Sequence, residues 1–297
     1  MEDLRISLED MKTALLKSGY LIESRLIKQL SSRNYILYPN ETYPDSKTEK
    51  SREIDVYACS ESTWKTLHRN ERFNIEIRHS LVIECMNNPT PVVVFKDMNK
   101  KPFTIYEKFK YNKIELKTLE EPSGIDFDFT GFTVDNQEFH YNQLKRNTQY
   151  CSFSQKKSGK TQEWMASHEE KLHDTFNKLF DFVNHHFEIK RERFHYAPQR
   201  MVTFNFLFPV IVFQGDIYEA SEDADEVRIE KKDHAIFEFN RYENESSSLL
   251  VDIVTEKYFT EYLSLLENDM KIVAEFCENY YSDKTVEFRD AIVKVIS

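Results

Sequence analysis

Glycine is scarce in this chain, with five in 297 residues. Dinucleotide folds and phosphate-cradling loops need several glycines at fixed spacing, so neither is expected. The nearest approach is SQKKSGKT, Ser154–Thr161, which ends like a phosphate loop. It has Ser154 where the first glycine belongs, and no convincing strand leads into it. The four cysteines, Cys59, Cys85, Cys151 and Cys277, lie far apart with no paired spacing. That pattern favours buried reduced thiols over disulfides or zinc. No HExxH or GxSxG sequence occurs, and the nine histidines show no zinc pairing, so zinc-protease and serine-hydrolase chemistry has no support. An apolar run of about 18 residues is also missing. With an acidic, polar start, MEDLRISLED, the expectation is a cytoplasmic protein with no membrane span and no signal peptide.

What is present is a core. Hydrophobic residues make up 40% and aromatic residues 14% of the chain, enough to exclude a disordered polypeptide and to fill one large domain or two smaller ones. The net charge of −11 is unevenly placed, for residues 1–200 are nearly neutral and the acidic excess falls in 201–297. A surface for a polyanion therefore has to lie in the first 200 residues. Lys145, Arg146, Lys156, Lys157 and Lys160 form the densest basic cluster there, which otherwise reads as a solvated loop.

Two segments carry the chemistry. In REIDVYA, Arg52–Ala58, and SLVIECMNN, Ser80–Asn88, a single acid interrupts an apolar strand, Asp55 in the first and Glu84 in the second. An unpaired charge in such a place is unfavourable, and a bound hard cation is a common remedy. Residues two apart on a strand share a face, so Glu84 points the same way as Met86.

Around these strands, the spacing predicts helices over Leu8–Lys17 and Tyr20–Leu30, a strand over Asn34–Tyr43, a long strand over Phe73–Met86 and another over Pro91–Phe95. Three or four strands are expected to meet around the acids, with a short helix within Ser60–Arg72. Further helices are predicted over Asn136–Tyr150, Glu163–Phe187, Phe259–Tyr280 and Val286–Val295. The segments VTFNFLFPVIVFQGDIYEA, HAIFEFNRY and SSLLVDIVT read as strands that join or extend the first sheet. No period of 20–50 residues recurs. The division expected is a core of 1–200 with an acidic strand-then-helix extension, 201–297, packed on it or extending it.

The order of these parts resembles the restriction-endonuclease-like, or PD-(D/E)xK, nuclease superfamily. The resemblance rests on Asp55, on Glu84 with Met86 where the family usually has lysine, on the leading helix with Glu23, on the PVVVFK strand and on Asn147–Cys151. It covers the first half to two-thirds of the chain. It implies an α/β fold, a mixed sheet flanked by helices, and a metal-dependent DNA phosphodiesterase of endonuclease type in defence or repair. It further implies Mg²⁺ or Mn²⁺ held by Asp55 and Glu84, with Glu23 as a third ligand or proton acceptor and Gln149 near a phosphate or the metal-bound water.

Met86 departs from the family pattern, since a thioether can neither position a water nor offset developing charge. Three readings follow: a cation has migrated in, Lys96 first and Lys50 or Arg52 behind it; the fold is catalytically silent and binds nucleic acid or a protein; or Met86 was introduced to silence the protein. Residue by residue, plainer readings stand beside these. Glu23 would be a surface acid paired with Arg25 or Lys28, Gln149 a helix-terminal amide, and Asp55 and Glu84 structural acids within the sheet. Oligomeric state and protein partners stay open.

Overall fold

A computed structural model describes residues 6–18, 20–45, 48, 50–61, 63–69, 71–88, 90–97, 112–117, 139–158, 161–190, 201–223, 226–243 and 245–275. The chain opens with α1, Leu8–Lys17, which begins where the Ser7 hydroxyl accepts the Asp10 N–H at 3.1 Å. Helix α2, Tyr20–Ser31, buries Ile22, Leu26 and Leu30, one stripe at a spacing of four. It stops at Asn34, whose φ of 62° lets the Tyr35 N–H turn back to the Leu30 carbonyl.

Strands β1, Ile36–Pro44, β2, Ser51–Cys59, β3, Thr63–Arg69, β4, Glu71–Asn87, and β5, Val92–Lys96, follow. Next come β6, Asn112–Lys117, a 3-10 turn at His140–Gln143, β7, Arg146–Ser158, and β8, Thr161–Ser167. Helix α3, Glu170–Lys190, precedes β9, Met201–Gln214, β10, Ile217–Asp223, β11, Glu226–Lys232, β12, His234–Glu243, and β13, Glu245–Thr255. A last described helix, α4, runs over 259–275.

The fold is α/β, with one mixed 13-stranded sheet in the order β1-β2-β4-β9-β13-β12-β7-β5-β10-β11. Strand β3 pairs with β4, β6 with β9 and β8 with β7. Neighbours β4 and β9 are parallel over fourteen residues each, β9 and β13 are parallel over four, and β2 and β4 are antiparallel. Strands β9, β13 and β12 thus fill the middle of the sheet, and β10 and β11 close one end. The neighbour of β4 on that side is β9, not the expected β5.

Past a bend at 90 and 215, the parallel pair β4/β9 is followed by a second parallel pair, β5/β10. Gly215 sits in this bend, where an added Cβ would lie 2.5 Å from a Phe213 ring carbon and 2.9 Å from the Asn88 carbonyl oxygen.

Each face of the sheet has its own core. On one, α2 and α4 pack Leu26, Leu30, Phe259, Tyr262 and Leu266 against Val56, Ile83, Phe208 and Val210. On the other, α3 packs Phe176, Leu179 and Val183 against Tyr57, Val82, Met86 and Ile211. Apolar side chains alternating on β4 feed both, as a strand buried on two faces requires.

Four expectations change. Ser60–Arg72 holds β3 rather than a helix. Over Asn136–Tyr150 the described part is a 3-10 turn, held at its first residue by Asp269 on the backbone N–H and ring of His140, followed by β7. Asn147–Cys151 is likewise strand, not helix. The helix expected from Glu163 begins at Glu170, after β8. The Val286–Val295 helix lies outside the described residues, as does most of 103–132. Among the described residues no helix is long and apolar enough to cross a membrane, and Cys59, Cys85 and Cys151 are half-buried free thiols.

Candidate active site

Asp55 and Glu84 stand side by side. The β2/β4 ladder ends with Val56 opposite Ile83, one residue short of both acids, and beyond it the Asp55 side chain and backbone reach the Cys85 N–H and the Glu84 carboxyl. Glu84 keeps the alternation of β4 and lies with Val82 and Met86 on the α3 side.

At Asp55 the alternation of β2 breaks. Ile54 belongs to the α3 core and Val56 to the α2 core, although residues two apart ordinarily share a face. Facing this point on β1 is Asn40, between the paired residues Pro39 and Glu41, with a φ of 52°. The rotation leaves Asp55 half-buried and turns its Oδ2 onto the Cys85 backbone N–H at 2.7 Å.

Glu84 is 4% exposed. Its Oε2 accepts from Lys178 Nζ at 2.6 Å, and its Oε1 is buried with no hydrogen-bond partner among the described residues. Burial, then the charge of Asp55, push its carboxyl up to about 7 against the pull of Lys178. Asp55 is raised by burial, opposed by the Cys85 N–H and by Lys178. Glu23, on the first turn of α2, is raised by burial and next by Asp55 and Glu53. Its neighbour Arg25 is taken by Glu256 on both carboxylate oxygens, so the pairing of Glu23 with Arg25 is not formed.

Lys178 had no signal in the sequence. It lies mid-helix in α3, and its own carbonyl accepts the hydroxyl of buried Tyr43 on β1 at 3.0 Å. One turn on, Phe182 meets the Tyr43 ring edge-on at 5.3 Å, and Arg241 holds Asp181. These contacts fix the rotation of α3 that aims Lys178 at Glu84. A lone lysine on an amphipathic helix reads from sequence as a solvated one; the clue available was the burial of the stripe on either side of it, Phe176, Leu179 and Val183.

Lys96 and Gln149 are not brought to this place. They lie on β5 and β7, with β9, β13 and β12 between β4 and β7. The charge of Lys96 acts instead on Glu230 of β11. Gln149 faces solvent from β7. Arg52 is bound to Asp45. Met86 is 1% exposed and packs with the α3 core.

The donor set suits a hard cation in part. Two carboxylates lie close enough for the charge of Asp55 to act on Glu84, one buried oxygen of Glu84 lacks a hydrogen-bond partner among the described residues, and all three acids are raised, chiefly by burial. Mg²⁺ is commonly held by one or two carboxylates with the rest water. Glu23, Asp55 and Glu84 do not close into a three-ligand group, and no such group of His, Cys, Asp or Glu occurs among the described residues. Comparison with protein-family models, with curated proteins and with solved structures finds no match.

Proposed function

We propose that this chain is a metal-dependent phosphodiesterase acting on DNA, in which a lysine from a helix replaces the one that the strand lacks. The observation that carries the reading is the contact of Lys178 Nζ with Glu84 Oε2 at 2.6 Å, on the face where Met86 leaves no charge. Asp55 and Glu84 are the residues that would hold Mg²⁺ or Mn²⁺. Such an ion, when bound, polarises a phosphoryl oxygen and supplies a nucleophilic water at neutral pH.

The chain's own groups do the rest. Lys178 offsets charge that develops on the phosphoryl oxygens, as a preorganised donor in a half-dry pocket does. Asp55 is oriented by the Cys85 N–H and needs no rearrangement. Glu23, with its carboxyl raised, is placed near Asp55 to take a proton from the attacking water. Restriction-endonuclease-like architecture is part of this proposal, supported by the adjacent acid-bearing strands and the α/β layers.

The test is nicking of supercoiled DNA with Mg²⁺ or Mn²⁺ by the parent, Asp55→Asn and Lys178→Met. Metal-dependent nicking by the parent, lost in Asp55→Asn and strongly reduced in Lys178→Met, is the expected result. DNA binding without nicking in all three would establish the catalytically silent reading. Nicking unchanged in Asp55→Asn would remove the site from consideration.

A further inference from the structure

Strand β11 ends the sheet, and among the described residues it pairs with β10 alone. Its seven residues, EVRIEKK, are exposed up to a half-buried Lys232, with Val227 at 65% and Ile229 at 57%. An edge strand of this kind offers a row of backbone donors and acceptors, and proteins ordinarily blunt such edges with proline, bulges or charged side chains. Proline and bulges are absent from β11, and its five charged residues are of both signs, so they can pair with a strand of matching charge.

Its charges alternate in sign along one face. Glu226, Arg228, Glu230 and Lys232 follow one another there, with Arg228 Nη2 3.7 Å from Glu226 Oε2 and Lys232 Nζ 2.7 Å from Glu230 Oε2. Val227, Ile229 and Lys231 occupy the other face, where Lys231 meets Asp216 at 2.7 Å.

This pattern is complementary to itself in one antiparallel register. A two-fold axis perpendicular to the sheet passes midway between a residue and its own copy on the neighbouring strand and keeps each side chain on its own face. Centred on Ile229, it sets Glu226 against Lys232 of the copy and Arg228 against Glu230, each pair occurring twice, with Ile229 against Ile229. Centred on Arg228 or Glu230, it opposes like charges at every pair of the alternating face. Centred on Val227 or Lys231, it makes half as many favourable pairs. Opposite charges directly across strands stabilise pairing and like charges oppose it.

We propose that β11 is a docking edge for a second copy of this chain, forming a two-fold dimer whose sheet runs on through an antiparallel β11/β11 pair centred on Ile229. The inference does not depend on the phosphodiesterase reading.

Sedimentation velocity of the full chain over roughly 1–100 µM tests it, with Arg228→Glu and the swap Arg228→Glu/Glu230→Arg. The parent is expected to dimerise, Arg228→Glu to weaken the dimer at least tenfold, and the swap to restore it, since the swap again opposes opposite charges in the same register. Circular dichroism and thermal unfolding confirm that the exposed substitutions leave the fold intact. A parent that stays monomeric throughout overturns the proposal. So does an Arg228→Glu variant that dimerises as the parent does, or a swap that fails to recover.

Discussion

Lys178 reaches Glu84 from across the α3–sheet interface, Nζ to Oε2 at 2.6 Å, although 94 residues separate the two in the chain. A strand position supplies a side chain through local alternation, whereas this one depends on the whole packing of α3. Tyr43, Phe182 and Asp181 set that packing, so they are positioning residues for the cation.

Replacement of Lys178 by Met is expected to lower kcat by a hundred- to thousand-fold, about 3–4 kcal/mol, if one preorganised donor is lost. Single-turnover cleavage of supercoiled DNA measures it. Tyr43→Phe, which releases the Lys178 carbonyl, should lower kcat by a smaller factor and leave KM for DNA in place. An equal loss in KM and kcat would assign Tyr43 to overall stability instead.

The acids were legible in the sequence and the cation was not. Asp55 and Glu84 each interrupt an apolar run, which local sequence records directly, and their strands are adjacent and antiparallel. Glu23 was legible as the acid of the leading helix. Lys96 looked suitable because the chain places it on the next strand, but chain order and sheet order differ. Residues 201–214, not 91–96, take the place beside β4. The helix expected through Asn147 failed for a related reason. Tyr150 and Ser152 are buried at a spacing of two on β7, a strand signal too short to compete with the helical spacing before it.

Stability should depend on pH in two opposing ways between about 4 and 7. The Glu84 carboxyl stands at about 7 in the fold against an ordinary 4.5, so it favours the folded state below 4.5 and loses that contribution as pH rises to about 7. His79, buried, is pushed down to about 4 from 6.5, so its contribution is lost as pH falls through that interval. Without divalent ions, Glu84→Gln is expected to gain on the parent by about 3 kcal/mol above pH 7 and by nothing below pH 4.5. Urea unfolding across this range checks it. Mg²⁺ should shrink the gap by stabilising the parent's ionised carboxylate, and a gap independent of pH would deny Glu84 its raised carboxyl.

Gly215→Ala should cost about 1–3 kcal/mol, because the new methyl meets the Phe213 ring and the Asn88 carbonyl inside ordinary contact distance. The Asn88 contact is backbone and cannot rotate away. Thermal unfolding should show the loss, and a neutral outcome would mean that the bend opens freely.

Asp252, fully buried, accepts the hydroxyls of Tyr141 at 3.2 Å and Tyr262 at 3.1 Å and meets His234 Nε2 at 2.9 Å. Asp252→Ala would leave these groups buried without their acceptor, at a loss of about 3–5 kcal/mol. Adding Tyr141→Phe and Tyr262→Phe should recover part of it, since fewer polar groups are then stranded. Equilibrium unfolding of the set resolves the difference, and a full additive loss would place the cost in packing alone.

The position of β9 has a consequence for synthesis. As the chain leaves the ribosome, β4 is complete more than a hundred residues before its parallel partner, Met201–Gln214, exists. Until then one side of the strand bearing Glu84 has no lasting hydrogen-bond partner from β9, and closing so long a loop is slow. The nascent protein carries that open, apolar strand edge while more than a hundred further residues are made, which exposes it to mispairing and makes a fragment ending at residue 200 prone to aggregate.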